Sequence, residues 1–216
     1  VNGFEKQELE TQGMMSRLFG SKPGHNALVE INNFLAESTA ATELTEEIVS
    51  NFIKNWGAKF DSSNIEYRSS MYRKVADHVY ISAVSKDDPV FEETKHLAQV
   101  LELPEKLQRL ADNGAKKVAY FSRCRKIISG EEPLTISEIN NVFGYDYEDG
   151  YDIRVQVFHD YLNKKFDEIA EQQRFSPDEE TALREICTKL DIPYEFKPNI
   201  QNALDKYRYL WSAENA

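Results

Sequence analysis

Residues 144–152 read GYDYEDGYD, which places four carboxylates, three phenols and two glycines in nine positions. Carboxylates at that density are oxygen ligands for a divalent cation, and tyrosines among acids grip a cationic segment through charge and cation–π contact. A calcium loop of the EF-hand kind needs oxygen ligands at its first, third and fifth positions and a glycine at its sixth. With Gly150 in the glycine position, the first and third fall on Tyr145 and Tyr147, so the register fails. The stretch closes a longer acidic run, since 131–152 holds seven acids and no lysine or arginine. Two uses remain. Tyr145, Asp146, Tyr147, Glu148, Asp149 and Tyr151 form a recognition patch for a basic protein segment, or the run is a solvated connector whose acids favour the dipole of the next helix.

A basic counterpart precedes it. AKKVAYFSRCRK at 115–126 carries Lys116, Lys117, Arg123, Arg125 and Lys126 and no acid, with Val118, Tyr120, Phe121, Cys124 and Ile127 interleaved at helical spacing. Such a helix either buries its apolar face in a core with cations outward, or offers the cations to a membrane surface or an acidic partner. Lys116, Lys117, Arg123 and Lys126 are the candidates for partner contact.

Other chemistry finds little support. Glu93 and His96 make a single Glu-x-x-His, whereas a di-iron bundle uses two such motifs and two further helix glutamates. His25, His78 and His159 do not complete the set, and two scattered cysteines, Cys124 and Cys187, do not build a zinc site. GSKPGHN at 20–26 lacks the Gly-Lys-Ser/Thr end of a P-loop, and the nucleophile-elbow, HExxH and GxGxxG patterns are absent. The expectation is a non-enzymatic chain without a cofactor. An enzyme built on dispersed carboxylates is the last of the alternatives.

The whole chain frames these segments. It has 216 residues, 41% apolar and 29% charged, which suits a globular chain with a real core. A net charge of −11 repels polyanions, so nucleic acid is not an expected partner. Two cysteines point to a reducing, cytoplasmic setting. No apolar run reaches the ~18 residues of a membrane span, and no signal peptide is visible. A start at Val1 suggests a piece of a longer protein.

The elements that must position these residues read as helices throughout. Leu28, Ile31, Phe34 and Leu35 form one stripe; Thr45 caps Ile48, Val49, Phe52, Ile53 and Trp56. Met71, Tyr72, Val75 and Val79 mark a longer helix, Asp88-Pro89 opens another, and Pro104 a further one running to Ile128. Thr135 caps Ile136, Ile139, Val142 and Phe143; a long helix carries Ile153 to Ile169; Ser176, Pro177 and Glu179 form a capping box; Ile200 to Trp211 ends the chain. Period-2 alternation between hairpin turns is missing. The prediction is an all-α fold of nine or ten helices.

Thr45 and Thr135 stand 90 positions apart, and the prolines of LELP (104) and LDIP (193) stand 89 apart. At these offsets Val49 meets Ile139, Tyr72 meets Tyr161, and Leu101 meets Leu190. The reading is a peripheral segment at 1–25, carrying an apolar cluster of Met14, Met15, Leu18 and Phe19, then two tandem related units at 26–130 and 131–216.

SAVSKDDPVFEETKHLAQVLELP and EIAEQQRFSPDEETALREICTKLDIP resemble the helix–acidic turn–helix unit of the tellurite-resistance B-like family, and are similar to the helical repeats of the chloroplast inner-envelope translocon scaffold. The likeness covers about 40 residues per copy. It implies an all-α fold and, as an alternative function, a stress-related module responsive to divalent cations. Asp87, Asp88, Glu92 and Glu93 then correspond to the acidic turn of the first copy, and Asp178, Glu179 and Glu180 to that of the second. The glycine of the family's turn is missing from both copies, and Gln172-Gln173 replaces the first acid in the second. The preferred expectation is a scaffold or protein-interaction module.

Overall fold

The structure is a computed structural model that describes residues 4–9 and 23–216. Among these residues it holds nine α-helices, one short 3-10 turn at Ala41–Glu43, and no strand. The chain divides into two compact units, Val1–Ala119 and Tyr120–Ala216. Unit 1 contains α1 (Pro23–Glu37), α2 (Glu46–Asn55), α3 (Ile65–Ser82), α4 (Val90–Val100) and the start of α5 (Glu105–Ser129). Unit 2 contains the end of α5, then α6 (Ile136–Phe143), α7 (Tyr147–Gln172), α8 (Pro177–Lys189) and α9 (Pro198–Glu214). The apolar cluster of Met14, Met15, Leu18 and Phe19 lies outside the described residues.

The helices begin where short side chains satisfy their free N–H groups. Thr45 Oγ1 accepts from Ile48 N, while Thr135 and Ser176 form reciprocal boxes with Glu138 and Glu179. Each such cap contributes about 1 kcal/mol. In unit 1 the buried faces bring together Leu28, Ile31 and Leu35 of α1, Val49 of α2, Met71 and Val75 of α3, and Leu97 of α4. In unit 2 the core is Ile139 and Phe143 of α6, Phe158, Leu162 and Ile169 of α7, Leu183 and Cys187 of α8, and Leu204 of α9.

Both Leu-x-x-Pro stops close in one manner. Leu101, Glu102 and Leu103 donate back to Leu97, Gln99 and Ala98, and Leu190, Asp191 and Ile192 donate back to Ile186, Thr188 and Cys187. The second residue takes a left-handed conformation in each, with φ 47° at Glu102 and 53° at Asp191. Glycine is the usual occupant of that position because it carries no Cβ.

Helix α7 departs from the pattern read in the sequence. It starts at Tyr147, not after the acidic stretch, because Asp146 accepts from Glu148 N and Asp149 N (both 2.9 Å) while Asp149 accepts from Asp146 N (3.0 Å). The presumed connector is therefore mostly the first turn of a helix. Gly144, at φ 66°, is the residue that turns the chain out of α6.

Candidate functional site

The tyrosines of 144–152 are engaged within the protein, Tyr145 and Tyr151 half-buried and Tyr147 exposed. Tyr145 is half-buried, with its ring 5.3 Å from that of Tyr120 and 6.1 Å from that of Phe143. Burial raises its phenol above the ordinary value, and the Asp149 charge adds to the shift. Tyr147 and Tyr151 flank Arg154, whose guanidinium lies 4.6 and 5.7 Å from their ring centres. Arg154 is 0% exposed. It donates to Tyr120 Oη (3.0 Å) and to the Tyr147 carbonyl (3.1 Å), and its Nε is buried without an acceptor. Tyr120 passes the chain on, donating to Asn140 Oδ1 at 2.7 Å. The cation–π contact read from this stretch exists, but the cation is Arg154 of the same helix. Tyr147 Oη also donates to the Asp191 carbonyl at 3.2 Å, which ties the α7 start to the α8 stop.

The acids divide into two groups. Asp146 and Asp149 serve the cap. Glu148, Asp191 and, ahead of α6, Glu131 are exposed and make no ion pair. Asp191 alone of the three lines two adjoining hollows of 570 and 400 Å³, which also share Ile136 and Ser137. Ile127, Pro133, Leu134 and Ile136 supply apolar wall to the first, and Asn140, Asn141, Tyr145 and Tyr147 line the second. Together they make a groove along one side of α6, with Lys189 the cation on its wall.

Of the basic candidates on α5, two face outward. Lys117 and Lys126 are exposed, and Lys116 is half-buried and engaged. Arg123 does not belong to a surface. Its side chain is 6% exposed and reaches Glu132, itself 5% exposed, at 3.2 Å. A carboxylate offsets the charge of a guanidinium withdrawn from water, and here the acidic run supplies it nine residues on. Arg125 lies over Phe121 and pairs with Asp160 at 3.4 Å.

The carboxylates of the two family-like turns are occupied by local structure. Asp88 accepts from Val84 N and Val90 N, Glu92 pairs with Lys95, and Glu93 accepts from Ala41 N at 3.3 Å. Glu179 closes its capping box, and Glu180 pairs with Arg184 (2.7 Å) and Arg208 (3.0 Å). Asp87 and Asp178 are exposed. Among the described residues no three His, Cys, Asp or Glu side chains stand together as a metal ligand set. Both thiols are buried, and burial pushes Cys124 up to about 12 and Cys187 up to about 11.

Arg68 and Arg154 are the residues that sequence reasoning missed. Arg68, 3% exposed, donates to Asn64 Oδ1, to the Leu101 and Glu102 carbonyls that end α4, and to the Asp61 carbonyl. Comparison with known proteins returns no matching family model, no matching curated protein and no matching solved structure. Among the described residues no helix is long and apolar enough to cross a membrane.

Proposed function

We propose that the chain is a non-enzymatic helical interaction module, cytoplasmic, that holds a protein partner in the groove beside α6. One observation carries this reading. The groove combines apolar wall from Ile127, Pro133 and Leu134 with exposed, unpaired polar groups at its edge, the composition of a docking surface with an apolar centre and a polar rim.

Kinship between the units supports the scaffold part of the proposal. Helices α3 and α7 end 90 residues apart, at Ser82 and Gln172, and α4 and α8 end 89 apart, at Val100 and Lys189. The left-handed Glu102 and Asp191 fall at the same offset. These agreements favour an internal duplication and, with the Leu-x-x-Pro stops, the likeness to tellurite-resistance B-like units.

The test uses Ser137→Arg, which fills the groove from an exposed position. Lys106→Glu, exposed in unit 1, serves as the control. A partner that co-purifies with the wild type and with the control is expected to be lost from Ser137→Arg at an unchanged melting temperature. Retention of every partner by Ser137→Arg refutes the groove. Replacing the three tyrosines would not serve, because Tyr147 and Tyr151 hold Arg154, Tyr145 packs on Tyr120, and their loss would unsettle the fold.

A further inference from the structure

Residues 4–9 form neither helix nor strand, and Glu5, Lys6, Gln7, Glu8 and Leu9 are exposed. The segment is nevertheless held at defined points on α1 and α3, all within unit 1. Asn33 takes both main-chain groups of Gln7. Gln7 N donates to Asn33 Oδ1 at 2.7 Å, and Asn33 Nδ2 donates to Gln7 O at 2.9 Å. Asn32 Nδ2 donates to Glu5 O at 2.8 Å. An extended chain points the N–H and C=O of one residue to the same side and repeats that edge every second residue. The two carboxamides therefore read one edge of the segment as a neighbouring strand would, whatever its side chains. Asparagine is a poor residue inside a helix, and α1 carries two in succession. Apart from a long contact between them (3.5 Å), their carboxamides bond only the segment among the described residues.

Two side chains of the segment meet specific partners. Phe4 is 8% exposed, with Lys74 Nζ 5.4 Å from its ring centre. Tyr67 Oη donates to Gln7 Oε1 at 2.7 Å. Lys6 adds an exposed ion pair with Glu37. Recognition of extended peptides divides its labour in this way, with main-chain hydrogen bonds for affinity and side-chain pockets for specificity. We infer that this face of α1 and α3 is a receptor for an extended segment of a partner protein, one with an aromatic side chain three positions ahead of a glutamine, and that residues 4–9 are its resident occupant. The contacts are made by positions 4–7 alone, so another chain carrying the same groups fits the same face. The resident is displaceable, because only Phe4 is buried and a segment with few buried contacts opens far more readily than the whole unit. It acts as a tethered competitor, lowering a partner's apparent affinity by the fraction of time the face is covered. This face shares no residue with the groove beside α6.

The probe is fluorescein-labelled GFEKQEL, the sequence of 3–9, titrated with the full chain and read by fluorescence anisotropy. Phe4→Ser weakens the resident, so this variant should bind the probe more tightly than the wild type by about tenfold or more. Binding to Phe4→Ser should fall by about tenfold when the phenylalanine of the probe is changed to serine. It should fall by about fivefold or more when the main-chain nitrogen of the probe's glutamine is methylated, which removes the N–H that Asn33 accepts. Asn33→Asp, added to Phe4→Ser, keeps the side-chain shape, removes the donor to the Gln7 carbonyl and should weaken the probe to a similar extent. Circular dichroism melts show which variants are folded. Should Phe4→Ser unfold, Gln7→Pro, at an exposed position, removes the same N–H and frees the segment in its place. Equal affinity of the wild type and the released variant, no binding to a folded released variant, or undiminished binding of the methylated probe overturns the inference. A wild type that sediments as a dimer beside a monomeric Phe4→Ser makes the occupant the segment of a second copy, and overturns the partner protein.

Discussion

Gly150 offers the sharpest test of how the acidic stretch is built. It is buried in the first turn of α7, and a Cβ placed there would stand 2.4 Å from Tyr120 Oη and 2.6 Å from Cζ. Alanine is normally the better helix residue by about 1 kcal/mol, so propensity alone makes Gly150→Ala stabilising. Packing acts the other way. Tyr120 is 0% exposed, its ring is held between Phe143 and Tyr145, and its hydroxyl is fixed by Asn140 and Arg154. Overpacking a rigid site costs about 1–3 kcal/mol, and a displaced hydrogen bond to a charged group costs about 1.5–3 kcal/mol. After the propensity gain, Gly150→Ala should destabilise unit 2 by about 2 kcal/mol.

The control is Gly114→Ala, in the interior of α5. There the nearest atoms are Arg73 Nη1 and Cζ, at 2.0 and 2.8 Å, the far end of a flexible side chain that is 34% exposed. Arg73 can swing aside at the expense of a surface ion pair to Asp77, worth less than about 0.5 kcal/mol. Gly114→Ala should therefore be neutral or stabilising by about 0.5 kcal/mol. Urea unfolding followed by far-UV circular dichroism reads both variants. The two must move in opposite directions or differ by about 2 kcal/mol. A Gly150→Ala protein as stable as the wild type would mean that Tyr120 is not locked as described.

Three further expectations follow from buried or strained groups. Glu102→Gly and Gln173→Gly, at φ 47° and 51°, remove left-handed strain of about 1–2 kcal/mol against a glycine entropy cost of about 0.5–1, so each should raise stability by about 0.5 kcal/mol in urea unfolding. Glu132→Ala strips the buried Arg123 guanidinium of its carboxylate and should cost about 3 kcal/mol, with Glu132→Gln costing less; equal and negligible losses would contradict the buried pair. Burial raises Cys187 to about 11, and Cys124, Tyr120 and Tyr194 to about 12, so the folded state keeps protons that the unfolded chain releases. Their contribution is whole below about pH 9 and is lost as pH rises through 11 and 12. Unfolding midpoints in urea should therefore fall from pH 9 upward, and native thiols should react with a disulfide reagent far more slowly than the same thiols in denaturant.

Much of the helical frame was legible because helix starts are written locally. Thr45, Thr135 and Ser176 cap within three residues, and the two Leu-x-x-Pro stops are visible as words. The start of α7 was not legible. Its box pairs Asp146 with Asp149 where a glutamate is the familiar partner, and Gly150 among tyrosines reads as loop until Tyr120 is seen to fill the space a side chain would need. The groove was illegible for a different reason. Its walls come from the α5 end and the 130–137 segment together with the α8 stop, which lies more than fifty residues further along the sequence and shares no pattern with them. Arg68 escaped notice likewise, since its carbonyl acceptors lie 33 and 34 residues downstream.

The buried arginines account for the chemistry of the surface. In a chain of net charge −11, cations would be expected to neutralise carboxylates. Arg68 and Arg154 instead donate to carbonyls, an amide and a phenol, under aromatic rings, and neither makes an ion pair. Desolvating a guanidinium in this way is tolerable because its charge is delocalised and its donors match main-chain acceptors at element ends. The consequence falls on the acids. With Arg154 turned inward beneath Tyr147 and Tyr151, Glu148 and Asp191 stand exposed without an ion pair. Aromatic rings and guanidinium hold the fold together on the inner side of the α7 start.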